Sequence, residues 1–147
     1  RCRCSPQAVD KYLSRLSGPL LDRIDLYVEV PALDFDQLSR RSDAEPSAVI
    51  KARVNAARAI QTARFGPEGP DCNAHMGQTE LARFCRLDEA GTALIKGAFD
   101  RMGLTARSYD RILRVARTIA DLDGAEHIGV DHLAEAIQYR ESSSLRR

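Results

Sequence analysis

Residues 104–122 read LTARSYDRILRVARTIADL, and the way this stretch lies on a helix decides the fold. Thr105 offers a hydroxyl to the unpaired N–H groups of a first turn, and Gly124 follows the last apolar residues, so a helix is predicted over 106–122. At 3.6 residues per turn, Tyr109, Ile112, Ala116, Ile119 and Ala120 gather on one side as a face to bury. Arg107, Arg111 and Arg114 gather on the other within about 60° of arc. Arg107 falls in the first turn, where the helix dipole favours an anion, so of the three it most needs a reason beyond the helix itself. A guanidinium at that end can meet a phosphate with two donors. Periodicity alone supports a plainer reading, a solvated face partly paired with Asp110 and neighbouring acids. Arg117 points to the side and is given no site role.

Further helices are predicted on both sides of this one. Residues 47–65, rich in Ala and Arg, place Ile50, Val54, Ala57 and Ile60/Gln61 near a helical period. After the loop GPEGPDCN, a short helix is expected over 78–85. Another, capped by Asp88, should run to about Met102 and stop at Gly103, and a last one covers 131–140. Residues 46–147 therefore form a bundle of about five helices with short connections. Upstream, Ser5-Pro6 starts a short helix that ends before Gly18-Pro19. IDLYVEV, 24–30, alternates apolar and polar residues like a strand closed by Pro31. Residues 32–45 are acidic and polar, a linker with one helical turn at 35–40. The divisions are thus 1–31, 32–45 and 46–147.

The 147 residues carry a net charge of +1, but the charges are segregated. Residues 22–45 hold seven acids against three arginines, 101–117 five arginines against Asp110, and 118–135 five acids with no Lys or Arg. Only a segregated basic face says anything about anionic ligands. No apolar run approaches the roughly 20 residues of a membrane span, so no membrane partner is expected. Four cysteines, Cys2, Cys4, Cys72 and Cys85, are too sparse for a secreted disulfide scaffold and suggest a reducing, cytoplasmic setting. The chain begins at Arg1 in the middle of a motif, RCRCSP, as expected of a piece of a longer protein.

Residues 17–30, SGPLLDRIDLYVEV, place Arg23 between Asp22 and Asp25 at the entrance to the expected strand. Either these three form a surface cluster of little energetic value, or Arg23 faces something outside the chain. Together, SGPLLDRIDLYVEVP, Asn73-Ala74-x-Met76, ARSYDRILRVARTIADL and HLAEAIQYR resemble the C-terminal part of the magnesium chelatase-like AAA+ proteins of the ComM/YifB family. The motifs occur in the family's order and cover nearly the whole chain.

The resemblance implies a helical lid, preceded by a remnant of the α/β ATPase core containing one helix and one strand. Family members are ATPases that assemble into rings and act in DNA processing, and ComM proteins are associated with branch migration during natural transformation. It further implies ATP and Mg²⁺ as cofactors of the whole protein, a ring of self-associated subunits (a hexamer) and DNA as partner. Arg23 matches the arginine that reaches into the neighbouring subunit's ATP site, where it stabilises charge on the transferring phosphoryl group. Arg107 matches the sensor-two arginine aimed at the γ-phosphate, with Arg111 and Arg114 as second candidates that could instead stabilise the lid or a subunit contact.

No G-x-x-x-x-G-K-[ST] is present, since GTALIKG at 91–97 lacks its order, and no strand ends in paired acids. These residues alone are therefore not expected to hydrolyse ATP or to hold a nucleotide. Cys2-x-Cys4 has metal-ligand character and could belong to a zinc site completed upstream. Cys72-x-x-His75 formally supplies two ligands, but its Asn-Ala-x-Met context does not resemble a zinc knuckle. Cys85 is assigned to the core and His132 to capping or packing, and no bound metal is expected. Two alternatives remain: the ATPase subunit of a metal-inserting chelatase, and a free-standing helical module that binds nucleic acid through its arginine face. A strand without its sheet is not stable alone and should be poorly supported or find a substitute partner.

Overall fold

A computed structural model describes residues 3–21, 23–35, 39 and 44–140. Its helices are α1 (Pro6–Leu13), α2 (Gly18–Leu21), α3 (Ser47–Phe65), α4 (Gln78–Phe84), α5 (Glu89–Met102), α6 (Ala106–Leu122) and α7 (Val130–Gln138), with a 3₁₀ turn at Asn73–His75 between α3 and α4. The architecture is mostly helical, and α3 to α7 are the expected bundle.

The helix ends fall where side-chain chemistry sets them. Ser5 precedes α1 and its hydroxyl accepts from the Ala8 N–H at 3.3 Å. Asp88 accepts from the Gly91 N–H at 2.7 Å, and Thr105 from the Ser108 N–H at 3.2 Å. Each bond satisfies one of the donors that a first turn leaves unpaired. His132 is the capping residue that its position suggested: its Nδ1 accepts from the Gly129 N–H at 2.9 Å. α5 stops because Gly103 takes the left-handed conformation at φ 61°, which a side chain disfavours.

α6 lies at the centre, against α3, α4, α7 and the 3₁₀ turn. Its Ile112, Ala116 and Ala120, with Leu133 of α7, are fully sealed from solvent at 0% exposure. Met76, Leu81, Cys85, Ile95 and Ala98 close the core around them. α3 has the expected length, but only Ala57 and Gln61 are buried along it. Ile50, Val54 and Ile60 stay 42%, 45% and 37% exposed, so most of the expected stripe is left uncovered.

Residues 24–30, expected as a strand, are not one: the segment is irregular and no ladder forms among the described residues. A strand needs a neighbouring backbone for every other residue, and here the adjoining elements are helices. The segment instead docks where α6 meets the end of α7. The Tyr27 N–H donates to the Tyr139 carbonyl at 2.8 Å, and the Tyr27 hydroxyl to the Leu21 carbonyl at 2.6 Å. None of α1 or α2 is buried. The helical turn expected at 35–40, the tail beyond 140, and Arg1, Cys2 and Asp22 lie wholly or mostly outside the described residues.

Replacing Gly103 by Ala should cost about 1–2 kcal/mol, the penalty for a side chain in left-handed backbone. Chemical denaturation would read this as a lower midpoint with an unchanged slope.

Candidate functional site

The polar side of α6 turns inward before it turns outward. Arg117 is 2% exposed and lies within the core. Its Nε donates to Asp121 one turn later at 3.1 Å, and its two terminal nitrogens donate to the carbonyls of Glu126 at 2.8 Å and Ala125 at 2.6 Å. Burial pushes this guanidinium below its ordinary pKa, while the Asp121 carboxylate opposes the shift.

Asp121 also accepts from Arg64 of α3, at 2.8 Å through one oxygen and in a second, closer bond through the other. Asn73, 1% exposed, donates to the same carboxylate at 2.7 Å and to Thr118 at 3.1 Å, and its backbone N–H donates to Gln61 at 3.1 Å. Thus Gln61, which sits in the apolar stripe of α3, is buried because it caps the Asn73 turn. The Arg64 guanidinium also lies 5.8 Å from the Phe65 ring centroid and 6.0 Å from that of Phe84. Those rings meet edge to face at 5.7 Å.

The next arginines clamp neighbouring segments. Arg114 donates twice to the Met76 carbonyl, at 3.1 and 2.7 Å, which fixes the exit of the Asn-Ala-x-Met turn. Arg111 donates to the backbone carbonyl of Arg23 at 2.8 Å and forms an ion pair with Asp25. Asp25, one of the two acids flanking Arg23, therefore serves Arg111. Arg140, after α7, donates to the Ile24 carbonyl and, at 3.1 Å, to the Ser108 hydroxyl, with its guanidinium 5.8 Å from the Tyr27 ring centroid. Between the docked segment and the helices lies a cleft of about 390 Å³, lined by Leu26, Ala74, Arg111, Arg114, Ile119 and Tyr139 among others.

Of the four arginines singled out in the sequence, Arg111 and Arg114 are partly buried and internally bonded, whereas Arg23 and Arg107 are exposed. Neither of the latter two guanidinium groups has a hydrogen bond or ion pair to a described residue. The Arg111 bond ties the Arg23 backbone to α6 one turn from Arg107. Sequence reasoning missed the Arg64–Asn73–Asp121–Arg117 network. Its signals were Gln61 within an apolar stripe and Asp121 four residues after Arg117.

Cys85, 4% exposed, is in the core as expected, and burial pushes its thiol up to about 11. No helix among the described residues is long and apolar enough to cross a membrane.

Residues 44–140 match the family model described as magnesium chelatase, subunit ChlI C-terminal, and residues 1–38 match the model for magnesium chelatase, subunit ChlI. The chain is 44% identical over 139 residues to the competence protein ComM of Haemophilus influenzae, covering 94% of this chain and 26% of that protein. It is 41% identical to YifB of Escherichia coli, covering 94% of this chain and 27% of that protein. A protein of Mycobacterium bovis, Mb2921c, is 37% identical across 99% of this chain and 29% of its own length. The chain thus spans between a quarter and a third of the length of these relatives.

Asp121→Ala should lower folding stability by about 3–5 kcal/mol, because two guanidinium groups lose their buried counter-charge; denaturant unfolding measures the loss. For Cys85, the folded pKa of about 11 lies above the thiol's ordinary 9.0. The stability this contributes is complete below pH 9 and is lost as pH rises through about 11. Cys85→Ala should therefore be less stable at neutral pH, yet its denaturation midpoint should fall less than the parent's between those two pH values.

Proposed function

The chain belongs to the magnesium chelatase subunit ChlI family, and from that premise we propose that it forms the lid and subunit-contact region of an ATP-driven ring ATPase acting on DNA. The supporting observation is the division among its arginines. Arg23 and Arg107 are exposed, with guanidinium groups that bond to no described residue, while Arg111 and Arg114 are committed to bonds that hold the elements beside them. An exposed guanidinium suits the oxygens of a phosphate chain, and binding there would supply a partner that no described residue provides.

Arg23 acts in trans on the ATP of the adjacent subunit, and Arg107 faces the γ-phosphate. Arg111 positions Arg23 through its backbone carbonyl, and Arg114 positions the Met76 turn. ATP and Mg²⁺ are the cofactors of the whole protein. The phosphate loop and paired acids that hold them are not among these 147 residues, so the chain alone neither binds nor hydrolyses ATP. When bound, ATP supplies the driving free energy; the contribution of this chain is to place positive charge where negative charge develops. The whole protein assembles as a ring, with six subunits as the proposed number, in the cytoplasm. The competence role of the Haemophilus relative, as its name states it, favours DNA as the substrate over a porphyrin.

In the full-length parent, Arg23→Ala should leave ATP binding nearly intact and reduce turnover by about 10³- to 10⁵-fold. Mixing these subunits with others that retain the arginine but lack a functional phosphate loop should restore turnover. Failure of the mixture to recover would reject the trans role. Turnover that responds to a porphyrin-handling partner and not to branched DNA would favour the metal insertase instead.

A further inference from the structure

We propose that Asp71, Cys72 and His75 form a binding site for one divalent transition-metal ion of the zinc class. In sequence, Cys72 and His75 are an incomplete pair; the fold supplies the third donor. A carboxylate oxygen of Asp71, the Cys72 sulfur and an imidazole nitrogen of His75 all lie within 4.8 Å of one another. A tetrahedral zinc with bonds of about 2.0–2.3 Å holds its ligands roughly 3.3–3.8 Å apart, so small rotations of the side chains would close the set around an ion.

The loop that carries these donors is held rigidly from beneath. Asn73, between Cys72 and His75, is 1% exposed and bonded to Gln61, Thr118 and Asp121, and Met76 is 2% exposed with its carbonyl clamped by Arg114. The His75 N–H donates to the Cys72 carbonyl at 3.0 Å and closes the turn. Anchored residues thus alternate with outward-facing donors, and an ion pays little of the ordering cost that a mobile loop would impose.

The chemistry of the donors selects the ion. Thiolate and imidazole favour zinc, cobalt or nickel over magnesium or calcium, which require oxygen cages. His75 Nδ1 and an Asp71 oxygen already form a hydrogen bond. A metal ion would replace the proton that joins those two groups. Cys72, a half-buried free thiol, would release its proton and bind as thiolate. Asp71 and His75 are exposed, which leaves the fourth coordination position open to water or to a ligand from another molecule.

The test is titration of the 147-residue chain with Co²⁺ alone and with Zn²⁺ alone, in a Cys2→Ser, Cys4→Ser background that removes the other cysteine pair. One equivalent should bind with a thiolate-to-cobalt charge-transfer band, and Zn²⁺ should displace the cobalt. Cys72→Ser should abolish the band. His75→Gln and Asp71→Asn should each weaken binding by about tenfold or more, at least the loss that removal of an outer-shell partner causes. Both substituted positions are exposed, so these two variants should keep the parent's circular dichroism. Absence of saturable binding, a band that survives Cys72→Ser, or binding only when Cys2 and Cys4 are present would each overturn the site.

Discussion

The Asp121 carboxylate, with a side chain 0% exposed, is the joint on which this bundle depends. It receives Arg64 from α3, Asn73 from the 3₁₀ turn and Arg117 from its own helix. Burying charge is costly, and such a cluster persists only when its donors and acceptors are nearly all satisfied. Here the remaining Arg117 donors reach the Ala125 and Glu126 carbonyls, just after α6 ends. Arg64 turns its outer side towards two phenylalanine rings. One carboxylate therefore fixes α3, the Asn73 turn, α6 and the loop towards α7 relative to one another.

The placement of everything nearer the N-terminal end of α6 follows from this joint. With the Asn73 turn fixed, the Met76 carbonyl stands where Arg114 grips it, and α6 then carries Arg111 to the segment containing Arg23. Along α6 the arginines change character from the C-terminal end to the N-terminal end. Arg117 is buried, Arg114 and Arg111 are half-buried clamps, and Arg107 is exposed. A single helix thus uses one residue type to build the fold and then to present an exposed charge, bonded to no described residue, at the end where the macrodipole favours an anion. The clamps behind Arg107 fix the helix that carries it.

Much of this was legible in the sequence because helix ends are set locally. Asp88, Gly103 and Thr105 marked the limits of α5 and α6 through caps that involve residues three or four positions away. The segment 24–30 was misread as a strand because its alternation reports a two-faced segment but not which element will cover it. The substitute partner that its isolation called for is the junction of α6 and α7. Arg117 escaped notice because a helical wheel ranks residues by angle and hydrophobicity. The acid that makes its burial tolerable lies four residues on, and the amide that completes the cluster is 48 positions from that acid. Likewise, Arg111 and Arg114 share a face with Arg107 by period, yet their partners at Arg23 and Met76 separate them in role.

A double-mutant cycle between Arg64 and Asp121, using Arg64→Met and Asp121→Asn and read by denaturant unfolding, tests the central joint most directly. A buried, bonded pair should give a coupling free energy of about 1–3 kcal/mol, with the double variant less destabilised than the sum of the singles. Losses that add to within about 0.5 kcal/mol would mean that the two residues do not act through each other, and would contradict the placement of Asp121 at the centre of the fold.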